Sequence, residues 1–451
     1  MKALFQDYSC AEDYQNVGLK FISPMLAKEL EEEEKQDACL NSPDYYIEEK
    51  FDGTRATVHF CEEFVRCFSR RVSNKTGWFC ENSDSVPHIR DLHVPELAGT
   101  IIDGEMFIPD RPFKDVSSTL NCKWDKAVSR QEEIGKIVFH AFDIMYYKGI
   151  RVEMMPLHRR KYYLQKVIDA VNSEYIVMVP YHKCGGLIPV ESYLSTHGNP
   201  MNLYESGKLD SYPVLKQDLV KHYGGFHTLT PRGFYEYIVA TGGEGVIVKP
   251  RDGKYLEDKR GWEYSKIKKF LTREVIILGF TPPTDDYKGK FPTVEKWDYW
   301  ETEDMGFLER VDLSGYTPAK REQFKEEWYP HRCRPVSKFY AKDWVGNIRF
   351  GVIITPEEEA NLPKNKKFNI IRYDLFSGRT NVVILEVGEC SGFDEETRQY
   401  MTDHQSELIG RVIEVKANEI FKDTGKLRHP RFLRFREDKS PLECTFKDHI
   451  G

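Results

Sequence analysis

The sequence predicts an α+β protein of two domains: a mixed strand-and-helix domain over residues 1–270 and a small β-barrel domain over residues 271–451. Three observations lead there. Alternating apolar runs crowd Tyr45 to Tyr147 and are broken by Gly, Pro and Asn clusters, the pattern of short strands joined by turns. Two helical stripes follow, at Pro156–Val171 and Gly233–Ala240. From Leu271 the register returns to β-type and stays there almost to the end. A chain of 451 residues has enough material for two or three domains with sizeable cores.

Taken in order, Glu29 to Lys35 is a charge run and reads as a solvated helix face. Strands are expected at Tyr45–Glu49, Ala56–Phe60, Val65–Phe68, Thr100–Ile108 and Lys136–Tyr146. Alternation puts Asp103 and Glu105 on one face of their strand. Leu157, Leu164, Val167, Ile168 and Val171 form the apolar stripe of the first helix, and Gly242-Gly243 closes the second. A strand at Gly245–Val248 is bounded by Pro250. Ideal alternation there sets Glu244 and Lys249 on opposite faces. In the second domain Leu271–Phe280 is followed by Asn347–Ile354, Phe368–Tyr373, Asn381–Val387 and Arg411–Ala417, with Ser377-Gly378 as a hairpin turn. Between the first two of these strands, Thr281–Val345 lacks strong periodicity. It is too long for a plain connection and reads as a functional insertion.

The net charge of -7 does not by itself mark a nucleic-acid binder, but phosphate contacts need only a local basic surface. Ten scattered cysteines with no Cys-x-x-Cys pair argue against a zinc ribbon or a disulfide framework, and for reduced thiols. Met1 to Tyr14 has no apolar core of a leader, and no run approaches the roughly 18 to 20 apolar residues of a membrane span. The expectation is a soluble, intracellular protein without a membrane partner.

The chemistry centres on Tyr45–Phe60, YYIEEKFDGTRATVHF, read as strand, tight loop, strand. Lys50, Asp52 and Arg55 place an amine, a carboxylate and a guanidinium within a few residues, and Gly53 lets the loop turn. A lysine with a reference pKa of about 10.4 is a poor nucleophile at neutral pH unless it is desolvated or crowded by other cations. A hairpin with solvated charges satisfies the same short pattern. Further along come Ser69-Arg70, Asp103-Gly104-Glu105, His140 to Met145, Glu244 to Lys249, Lys266-Ile267-Lys268 and RHPRFLRFREDK at Arg428–Lys439.

These stretches, in this order from about Phe21 to Lys439, resemble the ATP-dependent DNA ligases of the covalent nucleotidyltransferase superfamily, which also holds RNA ligases and mRNA capping enzymes. The lead-in Leu19 to Ala27 is similar to the family's Pro-Met-Leu-Ala segment. The resemblance implies a nucleotidyltransferase domain followed by an OB-fold, with Lys50 attacking the α-phosphate of ATP to carry AMP. It implies Mg²⁺, or Mn²⁺, held by Glu105 and Glu244. Lys249, Lys266 and Lys268 would supply the positive field around the reacting phosphorus and depress the Lys50 pKa. Phe142 would stack on adenine and Glu48 accept from its amino group, with Glu49 next to it as the competing choice. Arg55 and Arg70 would contact ribose and phosphate, Asp52 would serve the later steps, and Arg436, Asp438 and Lys439 would orient pyrophosphate.

The implied partner is nicked duplex DNA, bound by a monomer, in a bacterial cytoplasm or that of an infected host cell. Only 49 residues precede Lys50, so the helical DNA-binding domain of the large cellular ligases is expected to be absent. Trp297, Trp300, Lys288, Lys290, Lys296, Arg332 and Arg334 in the insertion would then help to hold the duplex. The rival functions are a capping guanylyltransferase, an RNA ligase, and a non-catalytic OB-fold nucleic-acid-binding protein.

Overall fold

The structure is a computed structural model and describes residues 22–72, 79–221, 228–285, 287, 297–304, 309–375, 380–421 and 423–450. Leu19 to Phe21, Lys288, Lys290, Lys296 and Ser377-Gly378 lie outside the described residues. The chain divides into two compact units between Lys269 and Phe270. No helix among the described residues is long and apolar enough to cross a membrane.

In the first unit the functional residues lie on β1 (Leu26–Glu29), β2 (Tyr45–Glu49), β3 (Thr54–Phe60), β4 (Val65–Val72), β5 (Thr100–Phe107), β6 (Val138–Tyr147), helix α1 (Leu157–Val171), β7 (Tyr181–Lys183), β8 (Gly245–Pro250) and β9 (Arg260–Lys268). One sheet has the order β1-β9-β8-β2-β7; the other contains the antiparallel run β4-β3-β5-β6. Alternation sorts the side chains. Ala56, Val58 and Phe60 of β3 pack with Ile102, with Phe139 and with Leu164 and Val167 of α1. Ile47, Val246 and Val248 of the first sheet pack with Phe234, Tyr237 and Ile238 of the Pro231–Ala240 helix. Each such burial contributes about 1.5–3 kcal/mol. A third cluster joins Ile101, Phe142 and Met145 to Ile247 and Tyr264. Because it draws on both sheets, it marks where they face each other, and the charged residues considered below lie around it.

In the second unit Leu271–Phe280 pairs with both Ile348–Ile353 and Val412–Ala417. Thr380–Cys390 extends one side and Arg431–Phe435 the other. A parallel bridge between Ser391 and Arg431, with the Phe432 N–H donating to the Ser391 carbonyl at 3.1 Å, curls the ends together. This connectivity is an OB-type barrel, filled by Val275, Ile277, Phe350, Val352, Leu385 and Val415.

Three sequence expectations need correction. Glu29 is not part of a solvated helix: it ends β1, and the helix begins at Glu33. RHPRFLRFREDK is not one strand. Lys426–Arg428 closes a hairpin with Glu419–Phe421, His429 turns with φ 51°, Arg431–Phe435 joins the barrel, and Arg436 to Lys439 lie beyond it. The insertion is not a loop; it holds a three-stranded sheet, made of Tyr299–Thr302, Glu309–Asp312 and Arg334–Pro335, and a helix at Pro318–Trp328. Trp297 and Trp300, expected on a DNA-facing surface, form its core with Leu313, Phe324 and Trp328. Arg334 is spent on Glu301 and Asp285. The short strands hid this core, because two to four residues are too few to show a period.

Candidate functional site

Pairing of β2 with β8 sets Glu48 opposite Ile247 and Glu49 opposite Val246. One residue further, the Lys50 N–H donates to the Gly245 carbonyl at 2.9 Å. The Lys50 Nζ then reaches Glu244 Oε2 at 2.5 Å, with the two side chains 23% and 22% exposed. Strict alternation from Ile247 and Lys249 would aim Glu244 away. Gly245, at φ 138°, breaks the alternation, and a Cβ there would lie 2.2 Å from the Ile267 carbonyl oxygen. Glu244 and Lys249 therefore reach one site despite their odd spacing.

The loop after Lys50 is fixed by Phe51, whose ring stacks on Phe107 at 5.1 Å and meets His140 edge-on at 4.5 Å. Gly53 is required for close approach: a Cβ there would sit 2.3 Å from the Met106 carbonyl oxygen and 2.9 Å from Glu105 Cγ. Asp52 is half-buried in this loop. Arg55 opens the return strand opposite Glu105 and donates to both oxygens of Asp103, at 2.6 and 2.5 Å. Tyr255 donates to Asp103 Oδ2 at 2.6 Å. Asp103 and Glu105 thus share a face, one serving Arg55 and the other lying beside Lys50.

Glu48 and Glu49 part company. Glu49 turns to His197 Nε2 at 2.9 Å, whereas Glu48, only 1% exposed, accepts from Lys249 Nζ at 2.7 Å and pairs through its other oxygen with Lys161. Lys249 Nζ also lies 4.7 Å from the ring centroids of both Phe142 and Tyr264. The Arg55 guanidinium covers Phe142 at 4.4 Å. The space among Arg55, Phe142, Lys249 and Tyr264 is about 10 Å³, room for about one water. A base can stack on Phe142 only if the guanidinium moves off it.

Lys266 and Lys268 are alternate residues of β9 on the Lys50 side. Burial, with Lys50 nearby, pushes Lys266 down, and burial with Lys266 beside it pushes Lys268 down to about 8. Glu29 moderates this field, lying 3.5 Å from Lys266 Nζ. Burial raises Glu105 to about 7, against the pull of Lys50 and Arg55. Two neighbouring carboxylates, Glu105 and Glu244, are hard oxygen donors beside the reactive amine. They fit Mg²⁺ or Mn²⁺, since Mg²⁺ takes one or two protein carboxylates and completes its shell with water and phosphate.

The remaining expected residues stand apart from this group. Arg70 is exposed, one residue beyond the Ala56–Ser69 pair. In the second unit Arg436 donates twice to Asp438 at 2.9 Å and pairs with Glu274, and Lys439 lies 3.2 Å from Glu443 and 3.5 Å from Glu274. Sequence reasoning missed Glu29, Tyr255, Tyr264, Arg160 and Lys161. For the last two a signal was available: a lysine and an arginine stand between Leu157 and Leu164 on the apolar face of α1, where a solvated charge does not belong. Arg160 holds Asp143 through two hydrogen bonds, at 2.7 and 3.0 Å. Burial alone would raise the Asp143 pKa, but Arg160 brings it below the usual value.

Residues 24–184 match the family model described as ATP dependent DNA ligase domain. The chain is 22% identical over 453 residues to the DNA ligase of Saccharolobus solfataricus and 23% identical over 448 residues to that of Saccharolobus islandicus. Each alignment covers 95% of this chain but 58% of the relative's length, so the chain spans little more than half of these curated relatives. Among solved structures, a Lig E DNA ligase matches with a TM-score of 0.45 at 16% identity, covering 92% of this chain and 99% of that one.

The raised Glu105 pKa carries a stability prediction. Between about pH 4.5 and 7 the folded state holds a proton that the unfolded chain releases, so wild-type stability falls as pH rises through that window and the full cost stands above it. Glu105→Gln removes the cost. In metal-free buffer the variant should melt above wild type at pH 8, with the gap closing toward pH 4.5. Equal or lower melting at pH 8 would contradict the assignment.

Proposed function

The chain belongs to the ATP-dependent DNA ligase family, and we propose that it seals 3′-hydroxyl/5′-phosphate nicks in duplex DNA through a lysyl-AMP on Lys50. The support is the convergence of the β2 end, the β8 start and β9 on the Lys50 nitrogen, which gathers two carboxylates and two further lysines around one amine.

In the first step the Lys50 nitrogen attacks the α-phosphorus of ATP; a P–N bond forms and the bond to pyrophosphate breaks. In the second the DNA 5′-phosphate takes the AMP and frees Lys50. In the third the 3′-hydroxyl attacks that phosphate and AMP leaves. Each step builds negative charge on non-bridging oxygens, and fixed cations lower its barrier. Lys266 and Lys268 supply that charge, and Glu244 fixes the position of Lys50. A divalent cation on Glu105 and Glu244, when bound, supplies further charge neutralisation at phosphate. Glu48 as acceptor and Lys249 as donor match the 6-amino group and N1 of adenine. Arg55, leaving the Phe142 face, turns to ribose or phosphate, with Arg70 at the exposed rim. Asp52 acts in the two later steps.

Lys50→Ala should form no nucleotide adduct, and Lys50→Arg should also fail, because a guanidinium stays protonated at neutral pH. Intact protein mass after incubation with ATP and Mg²⁺ checks this, and an AMP adduct on Lys50→Ala would move the nucleophile elsewhere. A GMP adduct formed from GTP in preference to ATP would favour a capping activity.

Arg436, Asp438 and Lys439 act on pyrophosphate, which appears only in the first step. Lys439→Ala should slow adenylylation at least tenfold while sealing a nick whose 5′ end already carries AMP at near wild-type rate. Normal adenylylation with poor sealing of that substrate would assign these residues to DNA binding instead.

A further inference from the structure

Lys161 is the most deeply buried cation of the first unit that the proposed reaction leaves unused. It projects from the apolar face of α1, between Leu157 and Leu164, with a side chain 0% exposed. Its Nζ pairs with Glu48 Oε1 and lies 4.7 Å from the Tyr181 ring centroid. Burial works against its charge and pushes the amine down to about 8, so the ion pair with Glu48 is what keeps it there. The helix that presents it is itself pinned: Arg160 holds Asp143 and donates to the carbonyls of Met155 and Gly253, at 2.6 and 2.8 Å.

One lysine would neutralise Glu48, yet two hold it, one on each oxygen. The second changes what the first can do. With Oε1 fixed by Lys161, Lys249 can give its other N–H donors to a base without leaving Glu48 an uncompensated buried carboxylate. Glu48 meanwhile stays ionised and cannot rotate, so its remaining lone pairs point one way.

We propose that Lys161 is a positioning residue that fixes Glu48 as the base-reading carboxylate and so sets the preference of this site for purines bearing a 6-amino group. This rests on the proposed reading of Glu48 and Lys249 as the adenine contacts. A lysine that merely staples α1 to β2 would affect all nucleotides alike, whereas a positioning residue acts on the amino group alone.

The test compares adduct formation from ATP and from purine riboside triphosphate, which lacks the 6-amino group, in wild type, Lys161→Met and Lys161→Arg. Wild type should prefer ATP. Lys161→Met should raise the KM for ATP about tenfold, while the analogue's KM changes less than twofold and kcat at saturation stays within a few-fold. Lys161→Arg, which restores a cation, should recover at least part of the preference. An unchanged preference in Lys161→Met, or equal losses on both nucleotides, overturns the proposal. Should Lys161→Met not fold, Lys161→Gln, which keeps a neutral donor on Glu48, is read by the same outcomes. If wild type forms no adduct with ATP, it is the ligase reading that fails. Calorimetric binding of ATP and the analogue to the same variants then decides the Lys161 proposal separately.

Discussion

A carboxylate held between two lysines in the interior of the first unit is the constraint on which the site depends. Glu48 is 1% exposed, with Lys249 on one oxygen and Lys161 on the other. Taking three charges out of water is costly, and removing one partner from such a group typically costs about 3–5 kcal/mol, because it strands the others. The network is therefore weak as a source of stability but strong as a source of geometry. It ties β2 to β8 and both to α1, and the β2–β8 pairing is what delivers Lys50 to Glu244.

Around Lys50 the same logic runs with the opposite sign. Lys266 and Lys268 crowd one side of the amine, and their own lowered pKa values show that this crowding has a cost. Glu244 and Glu29 offset part of it. Glu105 retains a carboxylate whose pKa is raised by burial. A site with unbalanced charge of both signs is poised for a ligand that carries both, and a nucleoside triphosphate with its divalent cation has that composition.

Much of this was legible in the sequence. The strands Tyr45–Glu49 and Leu271–Phe280 are expected and found with the same bounds, because alternating apolar residues between turn signals admit few other readings. The convergence of Lys50, Glu244, Lys249, Lys266 and Lys268 needed the family resemblance as well as the residues: alternation alone sent Glu244 and Lys249 apart, and only the backbone at Gly245 reconciles them. Lys161 and Arg160 were hidden for a different reason. Charged residues on a helix are ordinarily solvated, and their partners, Glu48 and Asp143, lie more than a hundred and seventeen positions away in sequence respectively. In the insertion, Trp297 and Trp300 invited a surface role because no neighbouring run announced a core; that core is assembled from short segments as far apart as Trp297 and Cys333.

The central claim is that these residues close DNA nicks at the expense of ATP, and joining of a nicked duplex measures it most directly. With ATP as the only nucleotide and Mg²⁺ present, the protein should convert a nicked DNA duplex to the sealed strand, releasing one AMP per phosphodiester formed. It should act on the matching RNA duplex far more slowly. Sealing of the RNA nick in preference to the DNA nick, or an AMP adduct on Lys50 that never yields a sealed strand, would contradict the account.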